Sequence, residues 1–557
     1  MDKEAQSYFN SADSSEGIGP LDTTGRTGRW GQIKAGFRSI GSDINYYYEL
    51  STEGVQEWTP FLLVFSYFAF SICIYMVASS GATKVFWFVY LMTNTYIASA
   101  TVVEALMSLG AYHNAKKAVD KVAKKNWTFP TPDDALPIMD IIMVAYLPNE
   151  QDIIMDRINY LLDKIVYPRH KIRFNVLYNT PYPIEPLEGD MRDLAFKHPE
   201  LRVYKVPHSK SKADNINYYC KLDTGADVSA VFDCDHYPHP YGPRWAAERF
   251  KGDKTIETVQ GRCVIFNADT NVMTAMIAVE FDKIYAVSHP GRSAMFDFGL
   301  FCGSNGYWKT SLLRDLKMDD SMLTEDIDSA LRAFGRGAKV VHDLNVVSFE
   351  LAPTTWFAFW KQRLRWSQGW AQASMRHIHT VWSKAPEGKQ RTLAQRFGLL
   401  SLLYIRESSY YLITQYLCLV VSIVCSDFPD SGDALLKLLF FEYPVAWWLF
   451  ILSVLALLGT LYITFHMRSE FITWWMIILF TVTYPGQLCM VAIMGLFGHA
   501  RQLSNVSPEN TLYYNVLYKG MAAPRTITTY SLRPEQRKER ANEVAAGEIG
   551  AALIVGD

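Results

Sequence analysis

The sequence predicts an α/β domain with a parallel sheet, residues 110–382, inserted between two groups of transmembrane helices, two before it and three or four after. Three observations predict this: five long uncharged runs fall in two clusters, strand-like and helix-like runs alternate between them, and basic residues gather on one side of the runs. The chain has 557 residues, 49% hydrophobic and 14% aromatic, with 20% charged, below the ~25% of an ordinary soluble protein. That composition excludes a disordered or collagen-like chain. Fifty-four basic and 56 acidic residues give a net charge of −2, so no electrostatic footprint for nucleic acid exists.

The uncharged runs are 61–78, 85–103, 408–425, 443–465 and 471–497. Each is near the ~20 residues that cross a hydrocarbon core as a helix. Arg26, Arg29, Lys34 and Arg38 precede the first, and Lys116, Lys117, Lys121, Lys124 and Lys125 follow the second. Asp427, Asp430 and Asp433 follow the third. The positive-inside rule therefore puts the N-terminal tail, 1–57, and the central domain in the cytoplasm. The first two spans lie within 58–109. An interfacial helix is expected over 383–407, a membrane region over 408–500, and a polar tail over 501–557. Three later spans would leave that tail outside, yet Arg533, Arg537, Lys538 and Arg540 favour the inside. Either the last run re-enters at Pro485 and Gly486, or the count differs. Eight cysteines without a C-x-x-C pair give no zinc spacing or disulfide framework, and no early apolar segment suggests a cleavable leader.

Within the domain, 140–145, 172–178, 201–206 and 228–232 read as strands, with helices over 152–163, 190–197 and 212–222 between them. Strand alternating with helix means βαβ units and ligands at the carboxyl ends of the strands. Neither a Walker loop nor a dinucleotide fingerprint follows a strand.

The fourth strand runs into Asp233-Cys234-Asp235-His236. Two carboxylates one residue apart can share a divalent cation with a diphosphate, or they form an acidic turn ending a strand. Thr324-Glu325-Asp326 opens a helix with Gly335 near its end. It serves as an N-cap with dipole-matched acids, or it supplies a carboxylate that takes a proton from an acceptor hydroxyl. The stretch 356–370 contains Gln362-Arg363-Leu364-Arg365-Trp366. It suits an interfacial amphipathic helix, and equally arginines that grip phosphate and an indole that stacks on a sugar.

The order of Ala145-Tyr146 with Glu150, Lys212, Asp233-x-Asp235-His236, Phe301-Cys302-Gly303-Ser304, Thr324-Glu325-Asp326 and Gln362-x-x-Arg365-Trp366 resembles the processive membrane-bound family 2 glycosyltransferases: cellulose, hyaluronan and chitin synthases. The resemblance extends from about Phe61 to Phe497. It implies a cytosolic GT-A (Rossmann-like) domain that uses a UDP-sugar with Mg²⁺ or Mn²⁺. It also implies a β-linked polysaccharide, made with inversion at the plasma membrane and extruded through the enzyme's own helices. Carried over, Ala145, Tyr146 and Glu150 hold the uridine with Lys212 nearby. Asp233 and Asp235 bind donor and metal, Asp235 and His236 being the metal ligands. Asp326 is the general base, and Phe301, Cys302, Gly303 and Ser304 line the acceptor site. Gln362, Arg363 and Arg365 clamp the diphosphate, and Trp366 stacks on the polymer's terminal sugar.

Three features depart from the pattern. Asn179 stands where many relatives carry an aspartate for the uracil. The gating sequence F-x-V-T-x-K is absent, 503–509 resembling it only loosely. The last ~60 residues lack the signatures of a cyclic-di-GMP receptor, so no response to that dinucleotide is expected. The D-C-D-H and F-C-G-S spellings favour UDP-glucose and a β-glucan, and R-W-x-Q-G is similar to poly-N-acetylglucosamine synthases, which use UDP-GlcNAc. A non-processive transferase acting on a membrane lipid shares the D-x-D chemistry but has no need of Gln362–Trp366 or the later spans. A pure transporter would need ionisable residues within the spans, and almost none is present.

Overall fold

The computed structural model describes residues 58–384, 390–426, 429–440 and 444–504. The basic residues of both tails, and most of the stretch compared with a gating loop, lie outside the described residues. Eight strands form one sheet: β1 (Met139–Tyr146), β2 (Ile172–Asn179), β3 (Leu201–Lys205), β4 (Val228–Asp233), β5 (Tyr237–Pro238), β6 (Ile256–Ile265), β7 (Gly306–Lys309) and β8 (Lys339–Glu350). Their order is β3-β2-β1-β4-β7-β6-β8-β5. The expected strands are β1 to β4, each within a residue or two of its predicted limits, and they pair in parallel. The sheet as a whole is mixed, which corrects the all-parallel expectation. Short β7 lies antiparallel to both β4 and β6, and β5 is antiparallel to β8.

The sheet is buried on both faces, as β-branched strands joined by helical crossovers require. Side chains alternate along β1. Ile141, Met143 and Ala145 join one core with Phe174 and Ile158, and the same core takes in Ala115, Val119 and Val122. Ile142 and Val144 face the other core, with Leu177, Ile216, Leu313 and Leu331.

Among the described residues, five helices are long and apolar enough to cross a membrane: Trp58–Val77, Gly81–Ala123, Leu393–Ser426, Trp447–His466 and Trp474–Leu503. The second begins at Ser80 and runs 44 residues, so its last turns enter the sheet's core. The separate interfacial helix expected over 383–407 is instead continuous with the next span, through a π-helical stretch at Ser401–Ile405. The last helix passes through Pro485 without a break, so the predicted interruption there is not a chain reversal.

Candidate functional site

The carboxyl ends of β1 and β4 and the starts of three helices converge on one group of charges. Ser211 caps the helix Lys212–Cys220, its side chain accepting from Asp214 N–H. This sets Lys212 at the helix mouth. Its ammonium lies 2.5 Å from Asp233 Oδ1 and donates to the Gly303 carbonyl at 2.6 Å. Burial opposes a charge there, but Asp233, Glu325 and Asp326 outweigh it and hold the Lys212 pKa above the usual lysine range.

Asp233 ends β4, and its backbone N–H donates to Ser304 Oγ at 3.1 Å. One donor atom each from Asp233, Asp235 and His236 lies within 4.8 Å of the others. Hard carboxylate oxygens at that spacing suit Mg²⁺ or Mn²⁺. His236 is more constrained than the sequence suggests. It is buried, with Nε2 3.0 Å from Glu350 Oε2 and Nδ1 3.0 Å from Ser348 Oγ, so ligating a metal would mean exchanging one of those partners. Behind these acids Glu150 is half-buried. Burial, then the charges of Asp235 and Asp233, push its carboxyl well above the usual range. Ala145 is buried at the end of β1, and Tyr146 is exposed beside it. Asn179 is held by its neighbours: its Oδ1 accepts from Asn215 Nδ2 at 3.0 Å, and its Nδ2 donates to the Ser209 carbonyl at 3.3 Å.

Asp326 sits in the first turn of the helix Glu325–Gly335. Burial, then Glu325, push its carboxyl up to about 7, while Lys212 and Arg365 pull the other way. Gly303 lies against it with φ of +88°, and a Cβ added there would stand 3.1 Å from Asp326 Oδ2. The backbone therefore favours glycine, and a larger residue would crowd the Asp326 carboxylate. Thr324 does not cap this helix with its side chain. Its hydroxyl is buried without a hydrogen bond, packed against Gly369, which corrects the expected cap.

Of the four residues expected to line the acceptor site, Gly303 faces Asp326, and Cys302 is half-buried, with its N–H donating to Gln260 Oε1 at 2.9 Å. Phe301 does not line it. Its ring is wholly buried, edge-on to Trp308 at 5.2 Å, because the start of the loop belongs to the core. Ser304 is buried and serves Asp233.

The helix Trp356–His377 carries the last motif and is capped by Thr355. Gln362 presents a buried Oε1 with no hydrogen-bond partner. Exposed Arg365 donates to the Leu323 carbonyl at 3.0 Å, beside the Thr324–Asp326 turn. Arg363 is committed elsewhere: its two terminal nitrogens donate to Glu280 Oε1 and Oε2 at 2.9 and 2.7 Å. The guanidinium also lies 4.8 Å over the Trp366 ring, which packs near Phe281 at 6.4 Å. Bound at both prongs and lying over the ring, Arg363 supports Trp366 here, and contacting a diphosphate would mean exchanging Glu280 for it. Sequence reasoning missed Glu280, and no spacing signal links it to a partner 83 residues away.

A family model described as "Glycosyl transferase family group 2" matches residues 230–489, which takes in the Asp233–His236, Thr324–Asp326 and Gln362–Trp366 motifs. Among curated proteins, Probable glycosyltransferase YdaM of Bacillus subtilis is 23% identical over 241 residues, 42% of this chain and 55% of its own length. Probable glucomannan 4-beta-mannosyltransferase 7 of Oryza sativa is 30% identical over 155 residues, 27% of this chain and 26% of its own. The chain spans about half, or less, of the length of these relatives. Among solved structures, the mannosyltransferase PcManGT from Pyrobaculum calidifontis, in complex with GDP-Man and Mn²⁺, is 18% identical over 65% of this chain and 97% of its own, with a TM-score of 0.43. The matched residues take in the end of β4, with Asp233, Asp235 and His236, and the helices that carry Asp326 and Gln362–Trp366.

Proposed function

We propose that this protein is a processive, inverting hexosyltransferase that extends a β-linked polysaccharide from a UDP-sugar and extrudes it across the plasma membrane, with the domain on the cytoplasmic side. The observation that carries the reading is the placing of Asp326 against Gly303, with Lys212 joining Gly303 to Asp233. It supports a base and a donor site within one side chain's reach of each other.

In this reading Asp326 removes the proton from an acceptor hydroxyl as that oxygen bonds to the anomeric carbon. The diphosphate leaves from the opposite face, which inverts the configuration. Asp233 and Asp235 would hold Mg²⁺ or Mn²⁺, with His236 alongside. Such an ion neutralises charge on a departing diphosphate when it is bound. Gln362 and Arg365 hold the leaving group, and Ala145, Tyr146 and Glu150 face the base. Trp366, steadied by Arg363, offers its indole to the terminal sugar, with Cys302 and Gly303 beside it. Processivity is supported by Gln362-x-x-Arg365-Trp366 adjoining the membrane helices, and cytoplasmic placement by the basic residues that flank the first two spans.

UDP-glucose is placed first among donors. A β-mannosyl product is the second reading, since the Oryza sativa relative is named for that transfer and Asn179 stands where many relatives carry an aspartate for the uracil. The test is to offer purified protein UDP-glucose, UDP-GlcNAc and GDP-mannose in turn with Mn²⁺, then digest the product with linkage-specific hydrolases. A β-glucan from UDP-glucose alone supports the first reading. A lipid bearing one sugar, with no polymer, overturns processivity.

A further inference from the structure

The helix Trp474–Leu503 is as apolar as a span, and at 30 residues it is about 45 Å long at ~1.5 Å per residue. A helix crossing the bilayer would leave its two ends on opposite sides of a ~30 Å hydrocarbon core. Both ends of this helix meet the same domain.

At the leading end, the loop that feeds the helix is anchored in the sheet. Arg262, wholly buried, donates to the Met467 carbonyl at 2.9 Å and to Asp282 Oδ1 at 2.9 Å. Asp282 Oδ2 accepts from Ser469 N–H. Phe471 lies edge-on to Phe349 of β8 at 6.0 Å. Further on, the Lys283 ammonium stands 5.3 Å over the Tyr484 ring.

At the trailing end, Gly498 packs so closely on the helix Trp356–His377 that a Cβ there would stand 2.7 Å from Ser367. Arg501 Nε donates to Gln368 Oε1 at 3.2 Å. His499 Nε2 lies 2.6 Å from Glu407 Oε2. Glu407 follows the π-helical stretch of the helix Leu393–Ser426, where Arg406 stands 3.6 Å over Trp370.

We infer that Trp474–Leu503 does not cross the bilayer but lies along its surface on the domain's side, a lipid-contact face made of Trp474, Trp475, Ile478 and Val482. Those four side chains are 43–73% exposed, while Met476, Ile477 and Phe480 on the opposite face are buried against the domain. One face is covered by the domain in place of the polar face of a free surface helix, the other faces outward, and the tryptophans at its start suit the headgroup level. Among the described residues the chain then crosses four times, and it leaves Leu503 on the side from which it entered. That removes the conflict between an odd number of spans and basic residues on both tails.

Single cysteines in the full chain, with exposed Cys73 and Cys425 replaced by serine, test the inference. Val482→Cys carries an environment-sensitive fluorophore in vesicles of phosphatidylcholine containing shallow or deep nitroxide lipids, with Leu455→Cys in the preceding helix as the deep reference. A surface helix sits about 5–10 Å into the boundary, so the shallow quencher should win at 482 and the deep one at 455. Deep quenching at 482 equal to that at 455 overturns the inference. Independently, Ser504→Cys, or Gln502→Cys should the first misfold, is labelled by an impermeant maleimide before and after cell permeabilisation. Labelling should follow a domain reference, Asp134→Cys. Labelling that follows Ser431→Cys, beyond the third span, or protection in both conditions, overturns it.

Discussion

The Lys212 ammonium bridges Asp233 Oδ1, at 2.5 Å, and the Gly303 carbonyl, at 2.6 Å. One cation therefore ties Asp233 to the loop that faces Asp326, and its charge reaches both. Lys212→Met should then act on the base as well as on the donor. Lys212 lowers the Asp326 pKa, so its loss should move the acid limb of the pH profile of kcat/KM upward from about 7. For each pH unit the limb moves, activity in the acid range should fall about tenfold. A limb that stays in place would show that the two groups are not coupled.

Asp326→Asn should fold, bind UDP with Mn²⁺ as the wild type does, and make product ~10²–10⁴-fold more slowly, the range of general-base catalysis. A cap alone would be worth ~1 kcal/mol or less. Stability offers a second readout. A carboxyl raised from 3.8 to about 7 ionises more readily unfolded than folded, so it costs stability as pH rises through that window and fully above it. The asparagine variant should therefore melt higher than wild type at pH 8 and about equally at pH 4.

Metal dependence should run through Asp233 and Asp235, since carboxylates and phosphates in one pocket repel without a cation between them. Asp235→Ala, titrated with UDP in Mn²⁺ by calorimetry, should bind at least about tenfold more weakly, on the scale of a lost metal partner. Full turnover in excess EDTA, or undiminished UDP affinity in the variant, would remove the assignment.

The two arginines of the Gln362–Trp366 motif should separate. Arg365→Ala should raise the donor KM, because that side chain is exposed beside the Thr324–Asp326 turn. Arg363→Ala and Glu280→Gln should each lower Tm by several degrees, since each breaks a largely buried pair, and should shorten the product by loosening Trp366. Donor KM in these two should stay near wild type. A large KM effect in Arg363→Ala, matched by none in Glu280→Gln, would return Arg363 to the diphosphate.

Strands β1 to β4 were legible because each is a β-branched run with breakers at its ends, and the five long apolar helices because each run is uncharged and long enough. Strand β7 was not, since four residues, Gly306–Lys309, carry no period, and its antiparallel insertion is set by contacts on both sides. The motifs located Asp233, Asp326 and Gln362 but could not assign work within a motif. Phe301 goes to the core, and Arg363 goes to Glu280. The commitment of His236 to Glu350 and Ser348 is equally long-range. Thr324 has the right chemistry for a cap, but the Gly369 contact turns its hydroxyl elsewhere.

The helix Ser80–Ala123 brings Ala115, Val119 and Val122 into the same core as β1, and that core also contains Ile463 and Met467. The helix that leads into the domain and the end of the fourth apolar helix thus complete one hydrophobic interior with the sheet. On the ribosome, the sheet would be finished only once the later membrane helices have been inserted, and until then it presents an unfilled seam. Assembly in the bilayer and closure of the enzyme are one event, so a mistake in the first withholds the second. Residues 110–382 produced alone would carry the candidate catalytic groups with an open core, and such a fragment belongs with chaperones and proteases before it belongs in an assay.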